Sequence, residues 1–372
     1  MKKIQLIKNA RKIVIKIGSS LLIDNGKFNH KWLRSLVEDF DSFLNKTQII
    51  IVASGAVSLG KSYLKFDSPE VNLNIKQAFA ACGQVFLMNN FIKIFEEKKK
   101  RVAQILLTFS DTEDRRRSLN SRETIKSLLS SNVIPIINEN DTVATDELKF
   151  GDNDRLAARV AQIVEADLLI LLTDVQGLFN KNPKHHEDAK LVETIENIDS
   201  KIYKIASSQT NSYGSGGMFS KIQAAEIAGT YGCNTLIFQG NIDNPLKNLK
   251  KNDVGSLFVS NEKKKKGVKN WLAGSINISG TLEIDNGAVD ALNRGASLLP
   301  IGIQRVLGKF SKGDIIEIID YEGKKLGKGI SYYDAHEVEM IKGKKSTLIK
   351  KILGYEGREE IIHRDYLYLS ER

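Results

Sequence analysis

The sequence predicts an α/β fold in which a mostly parallel sheet is sandwiched by helices and followed by a small β-rich domain. Three observations carry this. Over residues 1–260, short β-branched runs alternate with longer amphipathic segments, the pattern of βα units around a parallel sheet. Several runs are apolar at every position, Leu168 to Leu172 above all, as strands buried on both faces require. After Lys263-Lys264-Lys265-Lys266 the chain changes to short strand-like pieces with frequent glycine.

Taken in order, Lys12 to Ile17 is the first expected strand, and His30 to Lys46 has helical spacing. The strand Gln48 to Ala53 precedes a long helix, Asn72 to Lys99. Val102 to Leu107 and Val133 to Asn138 are strands around a helix at Ser118 to Ser130. A hairpin is expected from Thr142 to Gly151, then a helix from Asn153 to Val164 with Asp152 or Asn153 as its N-cap. The strand Leu168 to Thr173, the helix Lys221 to Tyr231 and the strand Asn234 to Phe238 complete the first domain, residues 1–260. A basic linker (261–273) leads to the second domain (274–372), where Ser275 to Ile278, Ile315 to Ile319 and Lys328 to Ile330 read as strands.

A chain of 372 residues exceeds the usual domain size of roughly 100–200, so two domains fit its length. Hydrophobic residues make up 41% and charged residues 27%, as in globular proteins. No apolar stretch is expected to approach the ~18 residues of a membrane span. Lys16 interrupts the N-terminal apolar run and no small-residue cleavage site follows, so no signal peptide and a cytoplasmic location are expected. Cys82 and Cys233 stand far apart, which gives neither a disulfide framework nor a zinc site. The net charge is +10, yet Trp271 to Arg372 holds 15 Lys/Arg against 15 Asp/Glu. The excess therefore lies in the first 270 residues, five of those lysines falling in Asn261 to Asn270. A positive first domain suits small anionic substrates, and the lysine run suits a solvated linker.

The chemistry gathers where strands end. Asn138-Glu139-Asn140-Asp141 closes the run Val133-Ile134-Pro135-Ile136-Ile137, so its polar side chains emerge at a strand's carboxyl end, where open α/β sheets place their ligands. Gly151-Asp152-Asn153-Asp154 then opens a helix. Carboxamides and carboxylates here suit an amino-acid substrate with its ammonium group. Asp154 has three readings: a helix cap, a metal ligand, or a carboxylate holding two lysines. Lys16 with the turn Gly18-Ser19-Ser20 is either a solvated strand end or an anion-binding turn, without Walker A spacing. Ser54-Gly55 offers a hydroxyl and free amides, or an ordinary strand-to-helix turn. Thr173-Asp174 either binds nucleotide polar groups or caps a turn. Gly214 to Lys221 joins a flexible backbone to a lysine at a helix start, where phosphates bind, or is a surface loop. His185-His186 stand in a polar loop and are excluded from the site. The GxSxG, HExxH and zinc-spaced cysteine patterns are missing, which removes hydrolase and metalloprotease readings. Phosphoryl transfer remains, in which a protein chiefly positions two anions and neutralises charge.

Lys16-Ile17-Gly18-Ser19-Ser20, Ala53-Ser54-Gly55-Ala56, Asn138-Glu139-Asn140-Asp141, Gly151-Asp152-Asn153-Asp154, Leu172-Thr173-Asp174 and Gly216-Gly217-Met218, in this order, resemble the glutamate 5-kinases. Residues 1 to about 260 look like the amino-acid kinase fold. Gly274 to about Lys350, with Leu298-Leu299-Pro300-Ile301-Gly302-Ile303, looks like the PUA domain that bacterial forms append, and Ile352-Leu353-Gly354-Tyr355-Glu356 and His363-Arg364-Asp365 fit the same C-terminus. The resemblance implies ATP-dependent phosphorylation of the γ-carboxylate of L-glutamate, the first step of proline biosynthesis. It implies that Lys16 and Lys221 flank the transferred phosphoryl group, with Asp154 orienting both. Ser54, Asp141 and Asn153 would bind glutamate. Lys16, Thr173, Asp174, Ser215, Gly216, Gly217, Met218, Phe219, Ser220 and Lys221 would hold ATP, with Mg²⁺ on its phosphates and no protein ligand assigned to it.

Ser215 stands where the family usually has threonine, and Phe219 where a small polar residue is commoner. Neither change removes a charge. The resemblance also implies a homo-oligomer and feedback inhibition by proline. Relatives acting on N-acetylglutamate, aspartate or nucleoside monophosphates lack the PUA tail. An RNA-binding role is the alternative from another class, and the neutral tail argues against tight binding of that kind.

Overall fold

The computed structural model describes residues 3–43, 46–67, 72–144, 153–183, 185–208, 217–260 and 278–369. Packing divides the chain into two compact units, Met1–Lys264 and Lys265–Arg372. The basic linker, most of the expected hairpin, Asp152, Ser215 and Gly216 lie outside the described residues.

In the first unit the strands are β1 (Lys12–Ile17), a small hairpin β2 (Ile23–Asp24) and β3 (Lys27–Phe28), β4 (Gln48–Val52), β5 (Arg101–Leu107), β6 (Val133–Glu139), β7 (Leu168–Thr173), β8 (Thr194–Ile195), β9 (Asn234–Gln239) and β10 (Ser256–Phe258). The helices are α1 (Lys3–Asn9), α2 (Ser19–Leu22), α3 (His30–Phe43), α4 (Ala56–Tyr63), α5 (Leu73–Glu97), α6 (Phe109–Glu113), α7 (Arg115–Ser130), α8 (Asn153–Ile163), α9 (Ser200–Ser208), α10 (Met218–Gly229) and α11 (Pro245–Asn252). Eight strands form one sheet in the order β5-β6-β4-β1-β7-β9-β10-β8, parallel except where β10 runs against β9. Because β1 pairs with β4 on one side and β7 on the other, the chain reverses direction across the sheet at β1, the place where such sheets open a crevice.

Side-chain alternation divides the core. Ile13, Ile15 and Ile17 face a layer with Leu36, Phe40, Phe91 and Leu249, from α3, α5 and α11. Val14 faces the opposite layer, with Leu156 and Val160 of α8 and Ile222 and Ala225 of α10. Lys16 shares the face of Val14, which puts its side chain beneath α8 and α10.

Several boundaries differ from the sequence reading. The helix expected to begin at Lys221 begins at Met218, because Gly217 serves as its extended N-cap and the residues after it are already helical. Asn153 is the first residue of α8 rather than a cap outside it. Helices α4, α9 and α11 and strands β8 and β10 were not anticipated; α4 carries Gly60 in its interior, a residue that weakens helical propensity. Helix α5 corrects the expectation about apolar stretches, since its length and composition would allow it to cross a membrane. It is instead a core helix: Phe79, Leu87, Phe91, Ile94 and Phe95 are buried within the first unit.

The second unit is a five-stranded sheet: β11 (Gly280–Ile284), β12 (Ile303–Gly308), β13 (Ile315–Ile319), β14 (Lys325–Ile330) and β15 (Leu367–Leu369), ordered β12-β11-β13-β14-β15. Only the β11–β13 pairing is parallel. Of the strand expected from Ser275 to Ile278 only Ile278 is among the described residues, and it precedes β11; the strand expected from Lys328 to Ile330 begins at Lys325. Leu282, Ile316, Ile318 and Tyr333 are among the residues of its own core.

Candidate active site

A cavity of about 430 Å³ opens at the carboxyl ends of β1, β4, β6 and β7. It is lined by Lys16, Gly18, Ser54, Asn138, Asp141, Asn153, Thr173, Asp174 and Lys221, so residues separated by two hundred positions converge there. The parallel arrangement explains this, because every parallel strand ends on the same edge of the sheet.

At one end Asp154 is clamped between two lysines. Its Oδ1 lies 2.8 Å from Lys16 Nζ, and its Oδ2 accepts a hydrogen bond from Lys221 Nζ at 3.0 Å. The Ser220 hydroxyl lies 2.9 Å from the same Oδ2. All three charged side chains are nearly sealed, with Asp154 1%, Lys221 5% and Lys16 6% exposed. Burial alone would raise the Asp154 carboxyl, but the two ammonium groups outweigh it and hold the group well below the usual carboxylate range. Two positive charges on one carboxylate leave a net positive charge, which suits an anion arriving in the cavity. Of the three readings of Asp154, the geometry matches the carboxylate that holds two lysines.

Gly18 borders this charge. Its φ of −68° is one any residue adopts, so space rather than backbone freedom distinguishes it. A Cβ there would stand 4.0 Å from Lys16 Nζ and 3.8 Å from Ser20 Oγ, in the approach to the ammonium. Gly55 differs: its φ of 107° favours glycine, and it turns the chain from β4 into α4.

The other end is built from amides. Asn153 Nδ2 contacts the Ala53 carbonyl at 2.6 Å, Ser54 Oγ at 3.0 Å and Asn138 Oδ1 at 2.9 Å. Asn138 in turn donates to Gln84 Oε1 at 2.8 Å, and Gln84 donates to Gln104 Oε1 at 3.1 Å. This chain of amides ties α5 to the strand ends and fixes Ser54. Among the described residues, the buried Asn153 Oδ1 has no hydrogen-bond partner. Asp141 lines the cavity without an ion pair among the described residues, and burial pushes its carboxyl up to about 6.

A profile of the amino acid kinase family matches residues 11–239, and a PUA domain profile matches residues 280–353. A protein named glutamate 5-kinase from Pelagibacter ubique is 44% identical over 361 residues, covering 96% of this chain and 98% of its own. Another of that name, from Caldanaerobacter subterraneus, is 43% identical across 97% of this chain and 98% of its own. The chain belongs to the glutamate 5-kinase group of the amino acid kinase family. Among solved structures, carbamate kinase from Giardia lamblia bound to AMP-PNP aligns with 68% of this chain and all of its own, at 17% identity and a TM-score of 0.48. UMP kinase from Bacillus anthracis aligns with 68% of this chain and 97% of its own, at 15% identity and a TM-score of 0.46.

Within this family member, Asp154 meets Lys16 and Lys221 directly, and Ser54, Asp141, Asn153, Thr173 and Asp174 share the cavity that the two lysines line. Gly217 caps α10, while Met218 is buried in the core and Ser220 turns to Asp154. Phe219 is 40% exposed and packs on Tyr203, at 5.3 Å between ring centroids, and is not among the residues lining the cavity. Sequence reasoning missed Lys76, Ser19, Ser20, Val57 and Ser58, which also line it. Ser19 and Ser20 belong to the turn that follows Lys16, whereas Lys76 sits on a long helix with nothing local to mark it.

Proposed function

We propose that this protein transfers the γ-phosphoryl group of ATP to the γ-carboxylate of L-glutamate, giving L-glutamyl 5-phosphate, the first step of proline biosynthesis. The observation that carries this is the Lys16–Asp154–Lys221 clamp facing one cavity with Ser54 and Asp141. A carboxylate oxygen of glutamate attacks the γ-phosphorus, and a carbon–oxygen–phosphorus link forms as the bond to the bridging oxygen of ADP breaks. The electron pair departs on ADP. No base is needed, because the attacking carboxylate is already ionised.

Lys16 and Lys221 offset charge on the oxygens around phosphorus, and Asp154 keeps both ammonium groups aimed. Positioning supplies much of the remaining rate. Asp141 receives the substrate ammonium, Ser54 donates to a substrate carboxylate, and Asn153 holds Ser54 in place. Thr173, Asp174 and the segment from Ser215 to Lys221 take the nucleotide, with Gly18 leaving room at Lys16. In this reading Mg²⁺ would accompany the nucleotide phosphates, with no protein ligand assigned to it. When bound it neutralises phosphate charge.

Domains at 1–260 and 274–372 joined by a basic linker, a cytoplasmic location, a homo-oligomer, inhibition by proline and no tight RNA binding by the PUA domain belong to the same reading. The test is ATP-dependent hydroxamate formation with L-glutamate and hydroxylamine, compared with N-acetylglutamate and aspartate. Signal with glutamate supports the proposal. Signal with another acid alone reassigns the substrate, and silence with all three sinks the kinase reading.

A further inference from the structure

Among the described residues, two opposite charges that line the cavity have no partner. Asp141 makes no hydrogen bond or ion pair among the described residues, and neither does the ammonium of Lys76, on the opening turn of α5. Both line the cavity alongside Ser54, Asn138 and Asn153, yet no ion pair joins them to each other. A carboxylate and an ammonium that line one polar cavity without pairing to each other complement a zwitterion, whose own ammonium and carboxylate are fixed on a single carbon.

The placement of Lys76 is supported on three sides. Asn72 caps α5 by accepting the Ile75 N–H at 3.0 Å, which fixes the turn that carries the lysine. Gln77 donates to the Ala144 carbonyl at 3.1 Å, tying the same turn to the loop that bears Asp141. Farther along, α5 lies against α4 at glycine contacts so close that a Cβ on Gly83 would stand 1.8 Å from the Ala56 carbonyl oxygen. That approach brings α5 beside the Ser54-Gly55-Ala56 turn.

The geometry points to Lys76 as the residue that recognises the α-carboxylate of the acceptor, opposite Asp141 at its α-ammonium. This rests on the reading of the protein as a kinase for glutamate. It assigns the cavity's two ends: Lys16 and Lys221 serve the reacting γ-carboxylate and the phosphates, and Lys76 serves the carboxylate that does not react. An acceptor lacking the α-carboxylate forfeits only the second.

The experiment compares the wild type with Lys76→Met and Lys76→Arg in the hydroxamate assay, using L-glutamate and 4-aminobutyrate, which keeps the amine and the reacting carboxylate. Lys76→Met is expected to raise KM for glutamate about 30-fold, as loss of a charge-assisted contact does, with KM for ATP within about twofold of wild type. The preference for glutamate over 4-aminobutyrate should fall by a similar factor, and Lys76→Arg should restore most of it. A merely structural lysine would move both acceptors together. An unchanged preference in Lys76→Met, or an equal rise in KM for ATP, would overturn the assignment while the kinase reading stands. A wild type inactive with glutamate would overturn both.

Discussion

Asp154 Oδ1 lies 2.8 Å from Lys16 Nζ although the two residues are 138 positions apart, and both are nearly excluded from solvent. Alternation along β1 turns Lys16 toward α8, and Asp154 occupies the first turn of that helix. With Lys221 on the other oxygen, one carboxylate fixes two cations that would otherwise repel each other.

Replacing Asp154 with asparagine removes the carboxylate with which both buried ammonium groups pair. Breaking a buried ion pair typically costs about 3–5 kcal/mol, and loss of a charged positioning group should lower kcat by about a hundredfold or more. Urea unfolding and initial rates check the two effects. The folded Asp154 carboxyl is held below its ordinary value of 3.8, so its stabilisation is present above that pH and is lost as pH falls further. The Asp154→Asn deficit in stability should therefore narrow only below about pH 4.

Asp141 behaves in the opposite sense. Burial raises its carboxyl from 3.8 to about 6, so the folded protein holds that proton more tightly than the unfolded chain does. Stability from this group is full below 3.8 and is lost as pH rises through about 6. Asp141→Asn should therefore raise the melting temperature at pH 8 and lose that advantage below pH 4 or so. In activity, KM for the amino acid should climb as pH drops below about 6 in the wild type, and that limb should vanish in the variant. A matched pH series of KM and melting temperature tests both.

Gly18→Ala separates space from backbone. The conformation accepts alanine and the new contacts are of ordinary van der Waals length, so thermal stability should hold or rise slightly. The methyl would nevertheless occupy the approach to Lys16 Nζ. We expect kcat/KM for ATP to fall about tenfold with KM for glutamate little changed, read by steady-state kinetics.

Gly83→Ala should act through helix packing. The added Cβ would lie 1.8 Å from the Ala56 carbonyl oxygen and 2.6 Å from the Gly60 nitrogen, so α4 and α5 must part. Overpacking of this kind costs about 1–3 kcal/mol. Because α5 also carries Gln84, whose amide reaches Asn138, KM for glutamate should rise more than KM for ATP. Denaturant midpoints and the two KM values provide the check.

Much of this architecture is legible in the sequence because buried parallel strands need unbroken apolar runs. Leu168–Thr173 and Lys12–Ile17 emerge with the bounds expected of them. The polar residues that close such runs fall on one edge of the sheet, while it is the resemblance that implies a common site for Ser54, Asp141 and Thr173, which do line one cavity. Helix α4 stayed hidden because glycines at both Gly55 and Gly60 argue against a helix, while in the folded chain the first makes the turn and the second admits α5. Helix α10 starts three residues before the expected Lys221 for a similar reason, since Gly217 reads as loop in the sequence and serves as the cap in the fold.

The sequence by itself determined the parallel sheet, the edge on which chemistry gathers and, through its resemblance, the family, because local periodicity and motif order are written along the chain. Tertiary structure alone decided which charges meet and which stay apart. Lys16, Asp154 and Lys221 become a clamp only when β1, α8 and α10 stack on one face. Lys76 reaches the cavity only because α5 approaches α4 at glycine distance. Electrostatic pairing depends on separation through space, and a separation of a few ångströms between distant residues has no signature in local sequence.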